Sequence, residues 1–262
     1  MSAVLNRFIT GALLLALSGC ASVGGRAGSS DHDRLLNAVV LDDVSYVRSA
    51  VQAGALNVNQ QIPAEGYPEG APLLAIAARG ASLDVLRYLI SAGADLNART
   101  PVNETPLMLA SFFYDESQRS VGRAFERHER AVRLLVESGA DLENYPSHYT
   151  PLAYAAYQGS DNIVRFLIQR GARVNADAQR GGSYVNTPLM MAAIQGHERI
   201  VRVLLGAGAD ADVRIFGGHT AAELASKHNH QGVAQLLMCA QKQDGTGAYG
   251  PQCRSVLGGL AP

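Results

Sequence analysis

The chain is predicted to fold as an all-α solenoid of about six helix–turn–helix units with projecting hairpin fingers. Three observations carry that prediction. An opening phrase recurs at Ala71-Pro72-Leu73, Thr105-Pro106-Leu107, Thr150-Pro151-Leu152, Thr187-Pro188-Leu189 and Thr220-Ala221-Ala222. A closing phrase recurs at Gly54-Ala55, Gly93-Ala94, Gly139-Ala140, Gly171-Ala172 and Gly208-Ala209. Thr187 and Thr220 stand 33 residues apart, a period typical of stacked supersecondary units.

Residues 1–19 read as a secretory signal. Arg7 supplies a positive start, and Phe8 to Leu17 is an apolar stretch of ten, too short to span a bilayer. Leu17-Ser18-Gly19-Cys20 resembles a bacterial lipoprotein processing site, in which small residues precede a cysteine that is lipidated and becomes the new terminus. That resemblance implies lipidation of Cys20. Ala21 after the cysteine implies an outer-membrane lipoprotein facing the periplasm. Residues 20–32 then read as a flexible tether rich in Gly and Ser.

Removal of residues 1–19 takes away Arg7 alone, leaving 21 basic and 23 acidic residues and a net charge of −2. Such a chain has no electrostatic footprint for nucleic acid, so its membrane contact is expected only through the lipidated terminus. With 47% hydrophobic and 17% charged residues the chain is neither disordered nor membranous in composition. With Cys20 set aside, Cys239 and Cys253 form an even pair, and an oxidising compartment predicts a disulfide that closes the tail over residues 239–262.

Within a unit each residue has a physical task. Thr150 can cap a helix through its hydroxyl, and Pro151 occupies the first helical position, where a missing N–H costs nothing. Leu152, Ala155 and Ala156 give a small apolar face that lets neighbouring helices approach. Gly159 ends that helix, and Ser160 or Asp161 starts the next. Ile163, Val164, Leu167 and Ile168 recur at helical spacing as a buried stripe. Gly171 permits the left-handed turn into the finger. No unit buries its faces alone, so stability comes from stacking.

These residues resemble the ankyrin repeat family over residues about 33–238, with units at about 33–59, 60–99, 100–144, 145–177, 178–214 and 215–238. The histidine common after Thr-Pro-Leu in that family is Leu74, Met108, Ala153 and Met190 here, which exchanges a hydrogen bond for apolar contact. Unit three carries 13 extra residues between its helices, Tyr114 to about Arg127, which are expected to prolong its second helix backwards. Val121, Ala124, Phe125, His128, Val132 and Leu135 would make the inner stripe of that helix. Arg119, Arg123, Arg127 and Arg130 would make a basic outer one, offset by Glu116, Glu126 and Glu129. Two fingers are long, and they hold Tyr67 and Tyr184.

The resemblance implies protein–protein recognition by a monomeric solenoid through its concave face and fingers. Carried over by position, the partner-binding residues are Phe112, Phe113, Tyr149, Tyr157, Gln158, Ile194 and His219, with Arg79, Gln195, Lys227 and His228 in the same set, and Tyr67 and Tyr184 join them as the tyrosines of the long fingers. Aromatic clusters of this kind are favoured hot spots. The expected role is an envelope adaptor or scaffold, and the alternative is an inhibitor of a toxin acting in the periplasm. The sequence holds no nucleophile elbow, phosphate loop or paired metal ligands, and His128-Glu129 lacks the second histidine of a zinc protease helix. No enzyme activity and no cofactor is expected.

Overall fold

The computed structural model describes residues 31–112, 121–143, 149–176, 186–214, 218–241 and 253. Twelve helices appear among the described residues, in pairs: α1 (Asp31–Val40) with α2 (Val44–Gln52), α3 (Leu73–Arg79) with α4 (Leu83–Ser91), and α5 (Pro106–Ser111) with α6 (Val121–Glu137). The series continues with α7 (Pro151–Gln158) and α8 (Asp161–Gln169), α9 (Pro188–Gln195) and α10 (Glu198–Gly206), then α11 (Ala221–Lys227) and α12 (Gln231–Ala240). The first helices of successive pairs stack in one layer and the second helices in another, so the core is a continuous seam between the layers.

The opening phrase works as a cap. The Thr105, Thr150 and Thr187 hydroxyls accept from the N–H groups of Met108, Ala153 and Met190 at 3.2–3.3 Å, with proline in the first helical turn. Thr220 forms a full capping box, because Glu223 accepts from the Thr220 N–H in return. Where Thr is replaced by Ala71, α3 has no side-chain cap. There the chain enters the helix from a strand instead. β1 (Gln61–Ala64) and β2 (Tyr67–Pro72) form an antiparallel hairpin pairing Gln61 with Pro72 and Ile62 with Ala71. One of the two long fingers is therefore a small sheet, and residues 177–185 of the other, Tyr184 among them, lie outside the described residues.

The positions that usually carry histidine, Leu74, Met108, Ala153 and Met190, are all fully buried. A polar ladder holds the finger bases together. The Asn59, Asn97 and Asn175 side chains accept from the N–H groups of Asp95, Asp141 and Asp210 in the next finger, at 2.8–3.0 Å. Glu143 takes the same part toward Arg173 N–H at 2.8 Å. Burial raises the Glu143 pKa, and the Arg173 N–H works against that rise.

Two glycines serve a second histidine pattern. Gly159 and Gly196 have φ of +86° and +73°, and a Cβ there would collide with the rings of His197 and His230. Each histidine starts a second helix and lies over the glycine that ends a first helix one unit earlier. His197 Nε2 also lies 3.1 Å from the Tyr157 carbonyl. Gly171, by contrast, has open space around it and is set by conformation alone, at φ +93°.

The extra residues of unit three lengthen α6 to 17 residues, against 9 in α8 and α10. Val132 and Leu135 are fully buried and His128 is 6% exposed, whereas Ala124 and Phe125 are half-buried. Arg127 and Arg130 face solvent. Arg127 reaches back to donate to the Ala81 carbonyl at 3.1 Å, so it ties the insertion to unit two. The Val121 and Arg123 side chains, and Arg119, lie outside the described residues. Cys239 at the end of α12 is joined to Cys253 by a disulfide. Among the described residues no helix is long and apolar enough to cross a membrane.

Candidate protein-binding face

The face with the densest chemistry spans units two to four on the first-helix layer. At its centre is Tyr154 of α7. The Phe112 ring meets it edge-on at 5.6 Å between centroids, and the Tyr149 ring does the same at 5.9 Å. Phe112 also lies 6.1 Å from Tyr157, one turn further along α7. Edge-to-face pairs of this kind stabilise beyond the area they bury, by about 0.5–1.5 kcal/mol. Phe112, Tyr149, Tyr154 and Tyr157 all remain partly exposed, so together they present a ring surface.

A buried carboxylate lies beneath that surface. Glu104 is 5% exposed and precedes the cap residue of α5. Its Oε2 accepts from the Tyr67 hydroxyl at 2.6 Å and its Oε1 from the Tyr154 hydroxyl at 3.2 Å. The Thr100 hydroxyl accepts from the Glu104 N–H at 3.1 Å, fixing the backbone that carries the carboxylate. One side chain thus links the finger of unit two to the first helix of unit four. Burial is the main reason both phenols titrate above their ordinary value, and the neighbouring Glu104 charge adds to it. Arg79 stacks over the Tyr67 ring at 5.8 Å and donates to the Glu65 carbonyl at 3.1 Å.

Two residues expected at the partner surface are corrected. Tyr67 is 7% exposed, because its hydroxyl is drawn inward to Glu104 and its ring is covered by the hairpin and Arg79. Ile194 is 6% exposed and belongs to the core. It holds the same register in its unit as Tyr157, but its short side chain ends inside the helix layer, where a tyrosine reaches out. Gln158 and His219 are partly exposed, and His219 lies 3.6 Å from the Glu223 carboxylate. Tyr157 is half-buried, and burial raises the pKa of its phenol. Phe113, Tyr184 and Cys20 lie outside the described residues.

Tyr154 and Glu104 were missed from the sequence, and register holds the signal for both. Glu104 precedes Thr105 as Tyr149 precedes Thr150 and His219 precedes Thr220, so all three occupy one finger-to-helix position. Tyr154 falls where the other units place Ala75, Leu109, Met191 and Leu224. A polar aromatic in a row of aliphatic residues needs an acceptor for its hydroxyl, and an acid before the cap supplies one.

The second-helix layer has a different surface. Arg133 pairs with Glu129, Arg165 with Asp161 and Arg202 with Glu198, each one helical turn apart at 2.9–3.0 Å. Arg170 pairs with Glu137 across units at 3.2 Å, and the guanidinium groups of Arg133 and Arg170 stack over Phe166 at 4.4 and 4.6 Å. These paired charges offset one another, which leaves the first-helix face as the stronger candidate for recognition.

The comparisons agree with this architecture. Sequence profiles described as "Ankyrin repeat" and "Ankyrin repeats (3 copies)" match residues 69–101 in the first case, and 123–178 and 176–246 in the second. Ankyrin repeat and SOCS box protein 16 of Mus musculus is 35% identical over 105 residues, covering 40% of this chain and 22% of that protein. Alpha-latrocrustotoxin-Lt1a of Latrodectus tredecimguttatus is 34% identical over 95 residues, covering 36% of this chain and 6% of that protein. The chain therefore spans less than a quarter of the length of either relative. Matched profiles over successive units, a two-layer stack of helix pairs and capped Thr-Pro-Leu openings lead to one conclusion: the chain belongs to the ankyrin repeat family, whose repeats mediate protein–protein interaction.

Proposed function

We propose that this protein is a lipid-anchored adaptor of a bacterial envelope, facing the periplasm and holding a protein partner on its first-helix face. The observation that carries the binding surface is the ring cluster of Phe112, Tyr149, Tyr154 and Tyr157, fixed from below by Glu104. Rings held by packing and by a buried hydrogen bond lose little freedom on association, so more of the contact energy becomes affinity. The signal-like residues 1–19 and Cys20 support the anchor and the address, and the Cys239–Cys253 disulfide suits an oxidising compartment. The binding role involves no catalytic step and no cofactor.

The test is crosslinking of the full mature protein in its native envelope, followed by identification of the captured protein. Changing Tyr149 and Tyr157 together to Ala should weaken capture by about 1–3 kcal/mol while the helical signal is retained. Undiminished capture by that variant would remove the ring face from the binding surface. Capture of a secreted toxin, with toxin sensitivity on deletion of the gene, would replace the adaptor role with that of an inhibitor.

A further inference from the structure

We infer that the ring face recognises an arginine side chain of its protein partner. The inference rests on the binding reading above and adds the chemistry of the contact. The Glu104 carboxylate is nearly enclosed, and among the described residues no Arg, Lys or His nitrogen comes within 4.0 Å of it. Among the described side chains only phenol hydroxyls hold its two oxygens. A buried carboxylate without a close counter-ion leaves a negative field directed through the groups that cover it. Those covering groups are aromatic rings, whose faces are themselves negative.

The cluster is already satisfied on one side. Arg79 lies over Tyr67, the phenol on the Oε2 side of the carboxylate, and holds its place by donating to Glu65. On the Oε1 side Tyr154 is related to Glu104 in the same way, and no cation of the described residues lies over Tyr154, Phe112 or Tyr157. Among the described residues a guanidinium serves one half of a two-sided site and none serves the other. A planar guanidinium fits better than an ammonium, because it stacks on a ring and sheds its hydration more readily. The same chain uses that geometry at Phe166, between Arg133 and Arg170.

The experiment uses the full mature chain and three blocked tripeptides: acetyl-Arg-Arg-Arg-amide, its lysine counterpart and its glutamate counterpart. The chain has 10 Tyr and no Trp, so intrinsic tyrosine fluorescence and ring-proton NMR shifts read the site without a label. The arginine peptide should shift the Tyr154 and Phe112 resonances saturably, the lysine peptide should bind several-fold more weakly, and the glutamate peptide should not bind. Glu104→Gln keeps the shape and one acceptor oxygen, removes the charge, and should weaken the arginine peptide about tenfold. Added salt should weaken it in the unaltered chain, which reads the same charge without a substitution. Equal binding of the glutamate peptide, or arginine binding indifferent to both salt and Glu104→Gln, would overturn the assignment. Partner capture that depends on Tyr149 and Tyr157 but is not competed by the arginine peptide would also overturn it, while leaving the binding reading intact.

Discussion

The two helix layers are built from the same repeat but hold themselves together differently. First helices are six to eight residues long where the Thr-Pro phrase opens them, and they bury nearly every side chain, as α9 does from Pro188 to Ile194. They start on threonine hydroxyls that make their hydrogen bonds. Second helices bury one stripe and carry ion pairs one turn apart on the other. Asp43 caps α2 through its side chain, but the cap residues of α4, α8, α10 and α12, which are Ser82, Ser160, His197 and His230, make no side-chain cap bond. In α4 the first N–H groups are met from outside, because Asp42 of the previous unit accepts from Asp84 and Val85 at 3.0 Å. The inner layer is thus specified residue by residue, and the outer one by amphipathic pattern and by its neighbours.

Breaking the inner layer should cost most. Leu152 is fully buried in α7, between first helices on either side. Leu152→Ala removes that contact and leaves a cavity, so chemical denaturation should show a loss of about 2–5 kcal/mol. The same measurement on an exposed α8 residue such as Arg165 should show less than about 0.5 kcal/mol. Similar losses at both sites would contradict the division between the layers.

The seam between the layers should be sensitive to acid. His128 of α6 lies with Nδ1 3.0 Å from the Ala110 carbonyl of α5. Burial holds its pKa down at about 4, the Ala110 hydrogen bond opposes that, and the Arg127 charge adds a little to the depression. The unfolded chain therefore takes up this proton below about pH 6.5 while the folded chain does not until about pH 4, so stability falls with acidity in that window. By pH 5 the loss should reach about 2 kcal/mol. His128→Leu should flatten the slope of stability against pH between 5 and 6.5, and an unchanged slope would show that the ring titrates normally.

The caps give a sharper contrast at smaller cost. Thr150→Ala loses a made hydrogen bond and should destabilise by about 1 kcal/mol. Ser160→Ala, ten residues on, removes a buried hydroxyl that has no partner and should be neutral or slightly stabilising. Reversal of that order would mean that the second helices depend on their caps after all. The smallest effect belongs to the outer ion pairs. A double-mutant cycle on Glu198 and Arg202 should return about 0.3–0.5 kcal/mol, declining with salt.

The sequence alone determined the repeat, the helix pairs, the capping threonines, the left-handed glycines and the lengthened helix of unit three. Each depends on contacts within one unit or on a conformation that few residues adopt, so spacing is enough to read it. Only the tertiary structure decided the face. Tyr67 and Tyr149 were both expected at the partner surface, yet one hydroxyl turns inward to Glu104 while the other ring stays partly exposed. Ile194 and Tyr157 share a register, and the length of the side chain separates a core residue from a surface one. Glu104 and Tyr154 are 50 residues apart in the chain, and only the stacking of unit three on unit four brings acceptor to donor. Local chemistry fixes what each unit becomes, but a buried polar group takes its partner from the unit stacked beside it, and stacking is a property of the assembled solenoid.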